Sequence, residues 1–405
     1  MRYTAGTRIF VVKVASRCNL ACSYCYMYQH VDQSWRTQPP FMSRATVSLL
    51  ANRLRQHARD IGASELAVVA HGGEPLLYPD LDYFFGTLRD NAGDVTLRFA
   101  VQTNGTLIDD RVIQTLAKYS VHVGVSLDGP REVNDVARRT HGGEGSFDSV
   151  IRGIGRLRHQ EPGLLDSALQ VINHRQEPAS AVRFLEDLGF SRADFLLPDW
   201  NHDSISMSQL EPGTLGSWLI EAFDYWAARS SPVYIRTFLV IARLLLGDEE
   251  GTDNFGPEAV GTLIIETDGS YQIHDALKTA YQGAGHTGMT LASHPVHDVD
   301  KLPLARAFQL KISGVGRQCR ECSLFPVCGG GSPVHRYKAG VGFSMPSAYC
   351  VDLQMLISHI ARRLLELPAI TGGVRDRLLS YAAQMPAVDV GKDARQVSLR
   401  MIHVV

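Results

Sequence analysis

The sequence predicts an α/β fold: a partial, parallel (β/α)6 TIM-like barrel followed by a cysteine-bearing C-terminal extension. Three observations carry that expectation. Short apolar runs alternate with helical stretches over the first 200 residues, a polar or glycine-rich loop follows most of those runs, and all seven cysteines fall in two tight groups far apart in the chain. Strands alternating with helices build βαβ units and a parallel sheet.

The strand-like runs are Ile9–Val14, Glu65–Ala70, Thr96–Val101, Val121–Ser126, Ala168–Ile172 and Ala193–Leu197. Between them, apolar residues recur at helical spacing over 43–60, 79–90, 109–118, 146–158 and 178–187. Six strands are too few for a closed eight-stranded barrel, so an open one is expected. Beyond residue 200, helices are expected over 207–230 and over 234–246, the latter capped by Gly247. Runs 261–265 and 270–273, joined through Asp268-Gly269, read as a hairpin with the favoured two-residue turn. Residues 351–367 are again apolar-periodic. The expected organisation is a barrel over 1–230, bridging helices and a cysteine domain over 231–350, and a helical segment with a tail over 351–405.

Composition narrows the class. With 405 residues, 45% of them hydrophobic, the chain has ample core for two or three modules, so a small stapled scaffold and a disordered chain are both excluded. Forty basic against 42 acidic residues leave no cationic excess for binding a phosphate backbone, and no nucleic-acid partner is expected. No apolar run reaches the roughly 20 residues of a membrane span, and the N-terminal run is interrupted by Lys13. A cytoplasmic protein is therefore expected, where clustered cysteines read as metal or redox ligands rather than disulfides.

Cys18, Cys22 and Cys25 form C-x3-C-x2-C directly after the first strand; Cys319, Cys322, Cys328 and Cys350 form the second group. Four thiolates suit either tetrahedral zinc or an iron–sulfur cluster. Three thiolates leave one coordination position open, and an open position is where a metal does chemistry. Functional loops of parallel α/β folds collect at the carboxyl ends of strands. There the sequence places the cysteine triplet, His71-Gly72-Gly73-Glu74, Gln102-Thr103-Asn104-Gly105, Ser126-Leu127-Asp128-Gly129 and Leu197-Pro198-Asp199.

C-x3-C-x2-C with an aromatic before its last cysteine, Gly-Gly-Glu after the second strand, and the six-strand pattern together resemble the radical S-adenosylmethionine (SAM) enzymes. The resemblance implies that Cys18, Cys22 and Cys25 hold a 4Fe-4S cluster whose remaining iron is chelated by SAM, and that reductive cleavage of SAM yields a 5′-deoxyadenosyl radical. The C-x2-C-x5-C spacing followed by Cys350 resembles the SPASM extension, which carries auxiliary clusters in peptide-modifying members. Ser332 and His274 stand where that extension places further cysteines, so one auxiliary 4Fe-4S cluster, on Cys319, Cys322, Cys328 and Cys350, is implied, and two clusters in all. The runs FVVKVASRCNLACSYCYMYQHVDQSW, HGGEPLL, VGVSLDGPREVNDVARR, ETDGSYQIHDALKTAY and CGGGSPVHRY resemble the FxsB-type peptide maturases, over residues 9 to 360.

By that resemblance Glu74, with Gly72 and Gly73, binds the SAM amine. A carboxylate holds an ammonium by charge-assisted hydrogen bonds, and glycines let a backbone approach closely. Ser126 and Arg138 suit the SAM carboxylate or ribose, the guanidinium offering a bidentate fork. Asn104 and Asn173 stand at strand ends as SAM or substrate contacts or as turn residues, Leu197 sits by the adenine, and Tyr24 shields the cluster. Asp199, Asp203 and His274 are acid–base candidates, because crosslinking an aromatic ring requires loss of a ring proton.

The expected activity is oxidative formation of a carbon–carbon cyclophane crosslink between an aromatic ring and the Cβ of a nearby residue in a ribosomal precursor peptide. An external donor of the flavodoxin or ferredoxin type supplies the electron. The alternatives are side-chain oxidation of the kind that matures sulfatases, epimerisation, thioether or ether formation, and a non-catalytic peptide-binding module stabilised by zinc.

Overall fold

The computed structural model describes residues 6–229, 231, 233–257, 261–309 and 311–386; the expected C-terminal tail, from residue 387 on, lies outside them. The described residues form two compact units, one within Met1–Leu169 and Val260–Arg306, the other within Gln170–Ala259 and Ala307–Val405.

The strands are β1 (Ile9–Ala15), β2 (Glu65–Gly72), β3 (Thr96–Thr103), β4 (His122–Ser126), β5 (Leu165–Val171), β6 (Arg192–Leu196), β7 (Tyr234–Ile235), β8 (Thr262–Ile265), β9 (Ser270–Gln272) and β10 (His286–Thr290). In the first unit they run in the order β10-β9-β8-β1-β2-β3-β4-β5, which β5 enters through Leu169. From β8 to β5 every pairing is parallel. β9 and β10 add an antiparallel edge. This is the expected α/β fold with a parallel sheet. Its strands bury Phe10, Val12, Val14, Val68, Ala70, Val101, Val123 and Val125, the β-branched and aromatic content that suits a doubly covered sheet.

Helices Arg44–Ile61, Leu81–Asp90, Asp110–Lys118 and Phe147–Gln160 each turn one apolar stripe inward, among them Leu50 and Leu54, Phe84 and Leu88, Ile113 and Leu116, and Ile154 and Leu157. The first three start where the sequence offers a capping oxygen: Ser43, Asp80 and Asp109 accept from the backbone N–H of Thr46, Tyr83 and Val112. A short helix, Arg131–Ala137, has no counterpart in the periodicity, because Asn134 is its one buried side chain.

Two local expectations are corrected. The β8–β9 hairpin turns through three residues rather than two: Glu266 pairs with Ser270, and the Gly269 N–H closes a turn on the Glu266 carbonyl with Gly269 at φ +86°. A three-residue hairpin ends with a left-handed residue, and glycine fills that position without strain. The helix expected over 207–230 begins only at Thr214, because Pro212 and left-handed Gly213 (φ +92°) interrupt it.

In the second unit β6 pairs in parallel with β7. Helix Arg236–Leu246 packs on β6 and β7, and helix Cys350–Leu365 packs against it and against helices Thr214–Ala227 and Gly372–Ala382. The buried Asp352 carboxylate accepts from the Gly216 N–H at 2.8 Å and so satisfies the start of helix Thr214–Ala227. Among the described residues no helix is long and apolar enough to cross a membrane.

Candidate active site

The loop leaving β1 carries Cys18, Cys22 and Cys25, all free thiols. Backbone hydrogen bonds hold it in place: the Ala21 and Ser23 N–H groups donate to the Arg139 and Ala137 carbonyls, and the Cys25 N–H donates to the Cys22 carbonyl. The three thiols are close enough to repel one another as thiolates. Burial, reinforced by that repulsion and by Glu74, pushes Cys18 up to about 12. Burial and Cys22 push Cys25 to about 11. Each is thus a protonated thiol until a cation displaces the proton.

Gly72 and Gly73 let this loop sit against the end of β2. A Cβ on Gly73 would lie 2.0 Å from the Tyr28 hydroxyl and 2.3 Å from the Arg17 carbonyl oxygen. Gly72 sits at φ +142°, with Ala15 O 2.0 Å from where its Cβ would be. The Gly73 and Glu74 N–H groups donate to the Ala15 and Arg17 carbonyls. The close approach that these glycines permit is therefore to the chain's own cysteine loop.

Glu74 is fully buried. Its carboxylate accepts from the Leu76 N–H (3.0 Å), the Thr103 hydroxyl (2.6 Å) and the Asn104 N–H (2.7 Å). Burial pushes its pKa up, against the pull of those three donors. With about four lone-pair sites per carboxylate, the three bonds leave roughly one for a further donor. Asn104 reaches back to the loop: its amide donates to Asn19 Oδ1 at 2.8 Å and lies 3.8 Å from Cys18 Sγ.

Beside Cys22 stand Tyr24, Asp128 and Arg138. The Tyr24 hydroxyl donates to Asp128 at 2.5 Å and accepts from Arg138 at 2.8 Å. Arg138 is buried, and its Nε finds no partner among the described residues. Burial raises the Cys22 thiol while the Arg138 charge pulls it down. Ser126, at the end of β4, accepts from the Gln102 amide at 2.9 Å.

Composition and periodicity gave no warning of a second polar cluster on the other side of the loop. Lys13, wholly buried in β1, contacts Glu266 at 3.0 Å, Met27 Sδ at 2.9 Å, and Asp275. Lys278 donates to Glu266 (3.0 Å) and Gln272 (2.8 Å), and the Tyr26 hydroxyl donates to Asp275 (2.7 Å). Burial pushes the Asp275 carboxyl up, but Lys13, Lys278 and His71 pull it well below the usual carboxylate range. Burial holds His71 down, and its buried Nδ1 finds no partner among the described residues. The one available signal was a lysine inside an apolar strand. Of the neighbouring pair, Asp275 joins this cluster, while His274 Nδ1 accepts the Ala276 N–H.

The remaining candidates lie in the second unit. Asn173 accepts the Arg175 N–H in a turn, as its turn reading anticipates. Asp203 accepts the Ala339 N–H at 2.9 Å, Asp199 lies 3.8 Å from His335, and Leu197 is half-buried just past β6. The second thiol set is also gathered. Burial, then Cys350 and Cys319, pushes Cys328 up to about 12; burial, then Cys319 and Cys322, pushes Cys350 to about 11. After Cys328 the chain turns through left-handed Gly329, whose Cβ would lie 1.8 Å from the Gly256 carbonyl oxygen. Among the described residues no three His, Cys, Asp or Glu side chains converge on a point where one metal ion would sit. Four thiolates around an iron–sulfur cube each bind a different iron and are spread more widely than around a single tetrahedral zinc.

The site thus combines a parallel sheet with three free thiols on the loop that leaves β1. The Radical SAM superfamily profile matches residues 12–161. The serine-type anaerobic sulfatase-maturating enzyme of Klebsiella aerogenes is 26% identical over 342 residues, covering 82% of this chain and 81% of the relative. Among solved structures, native anSMEcpe with bound AdoMet has the same fold: TM-score 0.73 at 20% identity, over 93% of this chain and 100% of that one. Streptococcus suis SuiB bound to precursor peptide SuiA follows at TM-score 0.60 and 17% identity, over 85% and 76%. The chain is an enzyme whose residues 12–161 match the Radical SAM superfamily and which is similar over most of its length to an anaerobic sulfatase-maturating enzyme.

Proposed function

We propose that this enzyme oxidatively crosslinks a ribosomally made precursor peptide, joining an aromatic ring carbon to the Cβ of a nearby residue in a cyclophane. The observation that carries the reading is the cysteine inventory: three thiols on the loop after β1 and four in the extension, with Ser332 and His274 at the positions where further ligands are expected. This set suits one SAM-binding 4Fe-4S cluster on Cys18, Cys22 and Cys25 and one auxiliary cluster on Cys319, Cys322, Cys328 and Cys350. The residues fit these groups: all seven thiols are free, and Arg138 keeps a buried Nε beside Cys22 that finds no partner among the described residues. When bound, SAM and the two clusters supply a hydrogen-abstracting radical and a one-electron acceptor.

The chain's own residues do the positioning. Arg138 offers its fork to a carboxylate, oriented by Tyr24 and Asp128. Ser126 adds a hydroxyl, and the free lone-pair site of Glu74 faces an amine. Asn104 and the paired glycines fix the cysteine loop. Leu197 and Asn173 serve the adenine and the substrate, and Asp199, paired with His335, is an acid–base group for the ring proton. The electron enters from a flavodoxin- or ferredoxin-type donor.

A second reading, oxidation of a side chain as in sulfatase maturation, is favoured by the Klebsiella relative. One experiment separates the two: anaerobic reconstitution, then SAM, reductant and the short peptide encoded beside the gene, analysed by tandem mass spectrometry. Loss of two hydrogen atoms with fragmentation suppressed across a segment that begins at an aromatic residue is expected. The same mass loss with complete fragmentation and one carbonyl-reactive residue would replace crosslinking by side-chain oxidation.

A further inference from the structure

We propose that Arg336 is a positioning residue for the auxiliary cluster, giving the cluster on Cys319, Cys322, Cys328 and Cys350 a positive counter-charge and N–H donors that raise its reduction potential. The inference rests on the reading that these four thiols hold a cluster.

Among the described residues Arg336 is the largest fully buried side chain, and its Nε, Nη1 and Nη2 find no hydrogen-bond partner there. A guanidinium carries five donors and does not lose its charge, so burying it unpaired is among the costliest arrangements a fold can adopt. The cost is removed only if an anion occupies the space it faces. Its neighbours identify that anion: the guanidinium lies beside Gly330, two residues beyond Cys328, and Gly330 also abuts Val315, which packs with Cys319 in one buried cluster.

The local chain makes room for this side chain. Gly330 is left-handed at φ +83°, and a Cβ there would lie 3.1 Å from Arg336 Nη1. The second buried cation nearby, Lys311, is arranged differently. Its Nζ donates to the Thr252 carbonyl at 2.6 Å and the Phe255 carbonyl at 3.2 Å, so it is already satisfied. Of these two cations, Arg336 is the one to which the described residues offer no acceptor. A cluster ligated by four thiolates is anionic, and each electron added makes it more so. A fixed positive charge with N–H donors toward its sulfurs therefore favours the reduced form.

The test uses the full chain with Cys18, Cys22 and Cys25 all replaced by alanine, reconstituted anaerobically and titrated with dithionite while the reduced cluster is followed by electron paramagnetic resonance. About four irons per chain are expected in this background; none at all would sink the cluster reading itself, independently of Arg336. With the cluster present, Arg336→Gln is expected to shift the oxidised-to-reduced ratio at a fixed potential about tenfold toward oxidised, about 59 mV for a one-electron couple, while Arg336→Lys stays near the parent. Loss of the cluster in Arg336→Gln with retention in Arg336→Lys also supports the charge requirement. An unchanged potential in Arg336→Gln, or loss of the cluster in both variants, would overturn the proposal in favour of simple packing.

Discussion

Replacing Lys13 by methionine tests the buried charge cluster that ties the cysteine loop to the β8–β9 hairpin. Four charges are held together there in a largely buried cluster: Lys13 and Lys278 against Glu266 and Asp275, a balanced set. Lys13→Met keeps the apolar stem and removes one cation, leaving Asp275 with the Tyr26 hydroxyl and Glu266 with Lys278 alone. Breaking a buried pair by removing one partner costs about 3–5 kcal/mol, because the other charge is left uncompensated. For a unit of this size each kcal/mol is worth about 2–4 °C, so the cluster-free protein should melt roughly 6–20 °C lower. The double variant Lys13→Met/Asp275→Asn restores the balance and should recover at least half of that loss, which a double-mutant cycle in melting temperature reads directly. Equal losses in the single and double variants would refute the reasoning, since the cost would then come from packing and not from a stranded carboxylate.

Further outcomes follow from the same geometry. Gly73→Ala places a methyl group 2.3 Å from the Arg17 carbonyl oxygen and must push the cysteine loop away; reconstituted iron should fall by about half, to the content of the extension alone, as measured by iron assay. His71 is held neutral by burial, so its folded pKa lies below its unfolded one. Above about pH 6.5 both states are neutral and it has no effect; below that value the unfolded chain binds a proton that the folded one refuses, and stability falls by at most about 1.4 kcal/mol per pH unit. Melting temperatures of the wild type and His71→Gln between pH 7.5 and pH 5.5 should show a shallower fall in the variant. Glu74→Gln retains one acceptor oxygen where the carboxylate serves three donors; an unmet buried donor costs about 1–3 kcal/mol, seen as a lower melting temperature.

Much of the framework was legible because parallel strands and amphipathic helices write their burial into local sequence. Ile9–Ala15, Glu65–Gly72 and the helix over Arg44–Ile61 fall within a residue or two of their periodic runs. The cysteine groups were legible because free thiols rarely cluster by chance. What escaped reading has no local signature. β7 is two residues long, Arg131–Ala137 buries a single side chain, and β10 pairs at an edge with none of its residues fully buried. The polar site escaped for a different reason: Lys13 meets Glu266 and Asp275 across some 250 positions, and Glu74 meets Thr103 and Asn104 across about 30. Individual residue types cannot announce such partnerships. The paired glycines were legible as a close approach but not for what approaches them, which is the cysteine loop itself.

The central claim is that Cys18, Cys22 and Cys25 form the centre that cleaves SAM. It is tested most directly by incubating the anaerobically reconstituted enzyme with SAM and dithionite and quantifying 5′-deoxyadenosine, for the wild type and for Cys22→Ala. The account predicts deoxyadenosine from the wild type and none from the variant, with the extension's iron retained in both. Deoxyadenosine from Cys22→Ala at the wild-type level, or none from a wild type carrying its full iron content, would contradict it.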